Sequence, residues 1–313
     1  MKSSKHISVL LYEAIESLQI NPDGVYVDLT LGRAGHSSEI LKRLSKKGHL
    51  YSFDKDNDAI NESDSKLALI GENYTLIHSD FRHFKEKLAT IGVTSVDGIL
   101  LDLGVSSPQF DNLERGFSYH GDAPLDMRMD ESQTFSAYDV VNTYTEQQLS
   151  HIFYAYGEER FAKQIAHNIV KARSVEPIKT TSKLCEIIKA SKPNKELSKK
   201  GHPAKQVFQA IRIEVNDELN ALKEALTQAL TLLNKNGRIV VISFHSLEDR
   251  IVKVTFNNAS RVVGNRINDW KVPSKDDEAS FKVIGKLILP SEEEMNDNPR
   301  SKSAKMRVLE KIK

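Results

Sequence analysis

Short runs of apolar and β-branched residues alternate with helical spacings over the first hundred positions of the chain. Val25-Tyr26-Val27-Asp28-Leu29 predicts a buried strand that breaks at Thr30-Leu31-Gly32-Arg33-Ala34-Gly35. Ile40, Leu41 and Leu44 then fall on one helical face, and Lys46-Lys47-Gly48 supplies a basic last turn and a stop. His49–Asp54, Tyr74–His78 and Gly98–Leu103 predict three further strands, with a polar helix around Asp58–Ile70. Strands alternating with helices of this length predict βαβ units and a parallel sheet, an α/β fold.

The rhythm stops after Pro108. Residues 109–135 are polar and turn-rich, and residues 137–200 carry only helical spacings, such as Leu149, Ile152, Phe153 and Tyr156. One long helix is predicted from Lys205 to Leu233, with Val207, Phe208, Ile211, Val215, Leu219, Leu222, Leu226 and Leu230 on one face and Asn236-Gly237 as its stop. Arg238–Phe244, Val283–Leu289 and Met306–Leu309 complete seven strands. The expected organisation is a first part, 1–108, a helical insert, 109–204, and a second part, 205–313.

Composition changes this picture in two places. The 313 residues contain one cysteine, Cys185, which excludes a disulfide framework and a Cys-rich zinc site; its helical, apolar neighbours predict a packed thiol rather than a nucleophile. The net charge of +1 conceals a split, because residues 1–150 carry 14 basic and 23 acidic side chains while 151–313 carry 30 and 20. Residues 1–20 lack the apolar core of a secretory signal and no stretch is apolar enough to span a bilayer, so a cytoplasmic protein without membrane contact is expected.

The candidate chemistry lies at strand ends. The turn Gly32-Arg33-Ala34-Gly35-His36 departs from the dinucleotide pattern Gly-x-Gly-x-x-Gly, yet it still lets a ligand approach the backbone. Asp28 precedes it, in place to meet a cationic or hydroxyl-bearing ligand. Asp54 closes the second strand, where a carboxylate can accept both hydroxyls of a ribose. Alone, a glycine turn is more often plain βα punctuation and a strand-end Asp often a helix cap; together, in consecutive βαβ units, they favour an adenosine ligand. Asp102 ends the fourth strand and calls for a hydrogen-bond partner if buried. Ser106-Ser107-Pro108-Gln109 then offers hydroxyls, a carbonyl and a carboxamide that suit an exocyclic amine. Ser246 and Asp249 have capping-box spacing after the fifth strand, which leaves His245 for substrate contact. The spacings of a metal site are absent, and none is expected.

Longer runs carry a family resemblance. His6-Ile-Ser-Val-Leu-Leu, Asp102-Leu-Gly-Val-Ser-Ser-Pro-Gln109, Pro124-Leu-Asp-Met-Arg-Met129, His202-Pro-Ala, Phe208-Gln-Ala-Ile-Arg-Ile-Glu-Val-Asn216, Ile242-Ser-Phe-His-Ser-Leu-Glu-Asp-Arg250 and Asn298-Pro-Arg-Ser-Lys-Ser-Ala304 resemble the bacterial 16S rRNA (cytosine-N4)-methyltransferase family, also called RsmH or MraW. The resemblance implies a class I S-adenosylmethionine-dependent methyltransferase: a Rossmann-like seven-stranded sheet with an inserted helical domain. It implies methylation of N4 of a cytidine in the decoding region of 16S rRNA, position 1402 in the usual rRNA numbering, within the small ribosomal subunit. Gly32, Ala34, Gly35, His36, Asp54, Phe81, Asp102 and Gln109 match cofactor positions, Asp54 at the ribose, Phe81 near the adenine, and Asp102 and Gln109 towards the methionine end. Arg33 departs from the commoner glycine and is expected to point outward. Asp102, Ser106 and Pro108 are the expected contacts of the reacting amine, in place of the Asp/Asn-Pro-Pro-aromatic segment of other amino-methyltransferases. A methyltransferase of DNA or protein is the alternative enzyme, and a non-catalytic RNA-binding assembly factor the alternative class.

With that resemblance the eight lysines and two glutamates of residues 179–205 read as an RNA-facing surface, represented by Lys192, Lys195, Lys199 and Lys200, with Arg300, Lys302, Lys305 and Arg307 as a second candidate. RNA is expected to meet the insert and the C-terminal half at the mouth of the cofactor cleft. Reversing the charge of the four lysines is expected to weaken rRNA binding and flatten its salt dependence in titrations at several salt concentrations; an unchanged slope would remove them from the surface.

Overall fold

The computed structural model describes residues 8–261, 266–267, 270–271 and 279–313. Its main sheet has seven strands: β1 (Val25–Asp28), β2 (His49–Asp54), β3 (Tyr74–His78), β4 (Val96–Asp102), β5 (Leu233–Ser243), β8 (Phe281–Ile288) and β9 (Lys305–Lys311). The two-residue strands β6 (Arg266–Ile267) and β7 (Trp270–Lys271) pair separately. The order is β3-β2-β1-β4-β5-β9-β8; β1 to β5 run parallel, and β9 and β8 add antiparallel.

Four helices, α1 (Leu11–Leu18), α2 (Gly35–Leu41), α3 (Asn57–Ala68) and α4 (Phe84–Thr90), accompany the first strands. Eight follow between β4 and β5, of which the first seven are α5 (Ser107–Asp111), α6 (Ala137–Thr143), α7 (Glu146–Ala155), α8 (Ala162–Arg173), α9 (Thr181–Ala190), α10 (Asn194–Leu197) and α11 (Lys205–Asn216). Then come α12 (Glu218–Leu232), α13 (Ser246–Ala259) and α14 (Glu292–Asp297). No helix among the described residues is long and apolar enough to cross a membrane.

Alternation along the strands builds two cores. Val27, Ile99, Leu101, Ile239 and Val241 face one side, with Leu88, Leu222, Leu226 and Phe256 from α4, α12 and α13. Tyr26, Leu50, Leu100, Val240 and Ile242 face the other, with Ile15, Leu18, Ile40 and Leu67 from α1, α2 and α3. Strands covered on both faces carry apolar residues at consecutive positions, which is why these runs stand out in the sequence.

The chain divides into two compact units, residues 1–104 with 219–313, and residues 105–218. The second is wider than the expected insert, 109–204, because the expected helix from Lys205 to Leu233 is two helices. Asp217 adopts a left-handed conformation (φ 49°) between α11 and α12. Val207, Phe208, Ile211 and Val215 of α11 join the core of the second unit, whereas the apolar face of α12 packs on the sheet. The two stripes share a period and serve different cores. The strand after α12 also starts earlier than Arg238: Leu233 pairs with Val96, and the register shift between Val96 and Gly98 takes up the Asn236-Gly237 turn.

Within the second unit, the Asp126–Met129 segment is spent on its own architecture. The Arg128 guanidinium grips Asp126 through Nε (2.8 Å) and Nη2 (2.7 Å), and its Nη1 donates to the carbonyls of Glu131 and Gln133. Arg115 donates to the carbonyls of Arg128 and Met129. The buried Asn216 carboxamide accepts from the Met129 amide and donates to the Met127 carbonyl, both at 2.8 Å.

One expected surface residue changes role here. Lys192 is only 7% exposed, ion-paired with the buried Glu159 and donating to the Pro203 carbonyl (2.7 Å), so it anchors the lysine-rich loop from inside. Lys195, Lys199 and Lys200 are exposed, Lys199 pairing with Glu196. Truncating one member of a buried ion pair leaves the other charge uncompensated. Lys192→Ala is therefore expected to cost about 3 kcal/mol of stability in denaturant titrations, and Lys195→Ala and Lys200→Ala less than about 0.5 kcal/mol.

Candidate functional site

The carboxyl ends of β1, β2 and β4 each carry an aspartate, and the three are used differently. Asp28 is fully buried and accepts hydrogen bonds from the Thr30 amide (3.1 Å) and the Ser37 hydroxyl (2.7 Å). It therefore shapes the turn instead of meeting a ligand, as the sequence had suggested. Ser37 lies 2.9 Å from Ser52 of β2, and the Thr30 hydroxyl accepts the Asp102 amide at 2.6 Å. This serine–threonine network was not anticipated from sequence; its only signal is the density of hydroxyls around Asp28.

The turn itself contains two left-handed residues, Gly32 (φ 49°) and Ala34 (φ 56°). Asp54 stabilises it by accepting the Gly32 amide at 2.9 Å, and accepts the Asp56 amide at 2.9 Å through its other oxygen. Burial raises the Asp54 carboxyl to about 6, against the lowering effect of these two amides. Each oxygen keeps a lone pair for a further donor. Arg33 points outward towards Glu62 (3.5 Å), as expected. Phe81 opens the short helix after β3 and is partly buried against the core of α4 and α12.

Gly35 and His36 are covered by the chain's own start. A Cβ on Gly35 would sit 1.9 Å from the Ser8 hydroxyl oxygen and 3.0 Å from Ser8 Cβ. The Leu10 amide, two residues on, donates to Glu294 of α14 at 2.8 Å. Neither Ser8 nor Glu294 had any local signal, since they reach the turn from opposite ends of the chain.

At the end of β4, Asp102 Oδ2 lies 3.5 Å from Nδ1 of His36, a side chain 4% exposed. Asp102 Oδ1 and His36 Nε2 are buried without hydrogen-bond partners among the described residues. Burial pushes the Asp102 carboxyl well above the carboxylate range, and Asp28, Glu248 and Glu294 add to the shift. Burial also holds His36 neutral, lowering it to about 4. A hydrogen-bond partner for Asp102 Oδ1 is thus absent among the described residues, and other carboxyl groups surround it.

His245 is the N-cap of α13, one residue earlier than the expected Ser246. Glu248, not Asp249, closes the cap by accepting the amides of Phe244 (2.8 Å) and His245 (3.3 Å). The His245 ring is 8% exposed; its Nε2 is 3.1 Å from Glu248 Oε1 without hydrogen-bond alignment, and both ring nitrogens lack partners among the described residues. Asp249 instead binds Arg307 (2.7 Å), with Lys305 at 3.6 Å, which takes these two members of the expected basic tail into β9 pairing.

In the second unit, Ser106 and Gln109 cap α5 reciprocally: Gln109 Oε1 accepts the Ser106 amide (3.1 Å) and the Ser106 hydroxyl accepts the Gln109 amide (3.4 Å). The Pro108 side chain, an expected amine contact, lies outside the described residues. Cys185 is buried and its thiol raised by burial to about 11, which suits a packed thiol and not a nucleophile.

A parallel α/β sheet closed by an antiparallel pair, with a glycine turn after β1 and aspartates at the strand ends, has the layout of a class I S-adenosylmethionine-dependent methyltransferase. Residues 3–312 match the MraW methylase family, and the chain belongs to that family. A protein of Streptococcus dysgalactiae subsp. equisimilis named ribosomal RNA small subunit methyltransferase H is 53% identical over 315 residues, covering 100% of this chain and 99% of that protein. Among solved structures, an rRNA methylase from Streptococcus thermophilus aligns with a TM-score of 0.46 at 12% identity, covering 98% of this chain and 99% of that one.

The contact of Ser8 on Gly35 yields a test. Gly35→Ala is expected to lower stability by about 1–3 kcal/mol through overpacking, and the same change in a Ser8→Gly background to cost much less. Equal losses in both backgrounds, measured by thermal unfolding, would show that Ser8 is not what excludes a side chain there.

Proposed function

We propose that this chain methylates N4 of a cytidine in the decoding region of 16S rRNA, position 1402, with S-adenosylmethionine as donor and the small ribosomal subunit as partner. The observation that carries the reading is Asp102 Oδ1, buried without a hydrogen-bond partner among the described residues, beside a neutral His36 and in acidic surroundings at the strand ends. Such a site is relieved by a cationic ligand, because a positive charge offsets the cost of ionising a buried carboxylate. When bound, S-adenosylmethionine supplies a methyl group on a cationic sulfur.

The chain's own residues divide the work. Ala34, Gly35, His36, Asp54, Phe81 and Asp102 hold the donor, Asp54 accepting the ribose hydroxyls with the lone pairs its two backbone amides leave. Gln109 is assigned to the methionine end by family resemblance. Asp102 and the Ser106–Pro108 segment accept hydrogen bonds from the cytosine amine, which localises its lone pair and aims it at the methyl group. Orientation of this kind can contribute roughly 7–11 kcal/mol, so no strong base is needed. His245 contacts the nucleotide through its ring nitrogens, which lack hydrogen-bond partners among the described residues, and Lys195, Lys199 and Lys200 meet phosphates. The helical unit, 105–218, is the RNA-binding part.

Ionised Asp102 and Asp54 are the forms that favour a cation and hydroxyl donors, and both carboxyls are raised in the free protein. Affinity for S-adenosylmethionine is therefore expected to rise with pH through the raised values, by up to about tenfold per unit for one released proton, and to level off above them. Calorimetric titration over a pH series checks this. Asp102→Asn should flatten the part of the rise due to Asp102 and slow single-turnover methyl transfer; unchanged affinity and transfer would exclude the role. Labelled methyl transfer to small ribosomal subunits, with DNA and protein as parallel substrates, tests the substrate class.

A further inference from the structure

The helical unit contains a group of stacked rings apart from every residue assigned above. Tyr119 lies parallel to His202, with centroids 4.4 Å apart and planes 7° apart. His120 joins them, 4.8 Å from Tyr119 and 5.5 Å from His202. Phe208 and Phe110 meet Tyr119 edge-on at 5.8 and 6.4 Å. Exposure is graded across the group: Phe208 is buried, Tyr119 and His202 are half-buried, and His120 is exposed.

The surface rings are held from beneath and from the side. His202 Nδ1 accepts the Ala204 amide at 3.2 Å, which sets the ring plane. The Tyr119 carbonyl receives the Cys185 thiol at 3.8 Å, and the His120 amide donates to the Ser118 hydroxyl at 3.1 Å. Core packing accounts for Phe208 and Phe110, but it does not require an exposed imidazole set against a stacked pair. The surroundings are cationic. Burial, followed by the charges of Lys189, His120 and Lys192, lowers the His202 imidazole and so favours a neutral, planar ring. Exposed Lys189, Lys195, Lys199, Lys200 and Lys205 flank it along the chain.

We infer that Tyr119, His120 and His202 form a stacking platform for one unpaired nucleobase of the RNA substrate, with the exposed lysines of residues 189–205 taking the adjoining phosphates. Planar rings serve any base, because every base has a π face, and lysines bind the backbone without reading sequence. Division of labour follows: the rings set an affinity component insensitive to salt, and the lysines set the salt slope. The inference rests on the RNA-methyltransferase reading above and adds to it a place where a nucleotide is held.

The test combines methyl transfer to small ribosomal subunits with anisotropy titration of a fluorescent single-stranded 16S rRNA fragment at several salt concentrations. Absence of transfer by the unaltered chain would overturn the substrate reading itself. With transfer established, His120→Ala is expected to weaken binding about tenfold with an unchanged salt slope, and His120→Phe to stay within about twofold of the unaltered chain. The triple change Lys195→Glu, Lys199→Glu and Lys200→Glu is expected to lower both affinity and slope. Unchanged binding by His120→Ala would overturn the platform. Equal losses in the Ala and Phe variants would do the same, because the imidazole would then act by charge or hydrogen bonding and not by its ring face. Thermal unfolding and S-adenosylmethionine binding, both expected to match the unaltered chain, show that the variants are folded. A base-stacking readout, quenching of 2-aminopurine placed in the fragment, is expected to be lost in His120→Ala and kept in His120→Phe.

Discussion

The buried Asp28 carboxylate holds the strand ends in place. It accepts the Thr30 amide and the Ser37 hydroxyl, while the Thr30 hydroxyl takes the Asp102 amide of the neighbouring strand. Asp54 ties β2 to the same turn through the Gly32 amide. An unpaired buried carboxylate is costly, and bonds from hydroxyls and amides at these distances make the arrangement tolerable. The same bonds decide which carboxyl oxygens are left over. Asp28 is consumed in organising the turn, Asp54 keeps spare lone pairs, and Asp102 keeps one oxygen with no partner among the described residues.

The charge of the site follows from that allocation. Burial, and after it Asp28, Glu248 and Glu294, disfavour ionisation of Asp102, while the neighbouring His36 is held neutral by burial. A structure selected for stability alone would place a cation there. Leaving the place without one costs stability, a cost common at functional sites. The carboxyl groups around Asp102 come from both halves of the chain, Asp28 from the first and Glu248 and Glu294 from the second.

In the helical unit, some charged and polar side chains are structural, Lys192 among them, while Lys195, Lys199 and Lys200 are exposed. Arg115, Arg128 and Asn216 satisfy backbone groups of the Met127–Met129 segment, and Lys192 is buried against Glu159. These contacts shape the segments that carry Tyr119, His202 and the exposed lysines. Basic residues therefore act in two ways here, some fixing the loops from inside and others facing solvent. Composition does not separate the two, since both are lysines and arginines in the same stretch.

Local sequence determined the strands of the sheet, the glycine turn, the helical character of the insert and the packed state of Cys185, because each depends on neighbours within a few residues: alternation, spacing, caps and breakers. Asp54 and Asp102 were legible as strand-end carboxyl groups from their positions at the ends of apolar runs. Tertiary structure alone decided the rest. The break at Asp217 could not be read from period, since both halves of the stripe are apolar and only the cores they enter differ. The fates of Asp28, Asp249 and Lys192 depended on Ser37, Arg307 and Glu159, which lie 9, 58 and 33 residues away. Ser8 on Gly35 and Glu294 at Leu10 were beyond any local pattern, because a hydrogen bond or a close contact between distant segments leaves no periodic trace in either one.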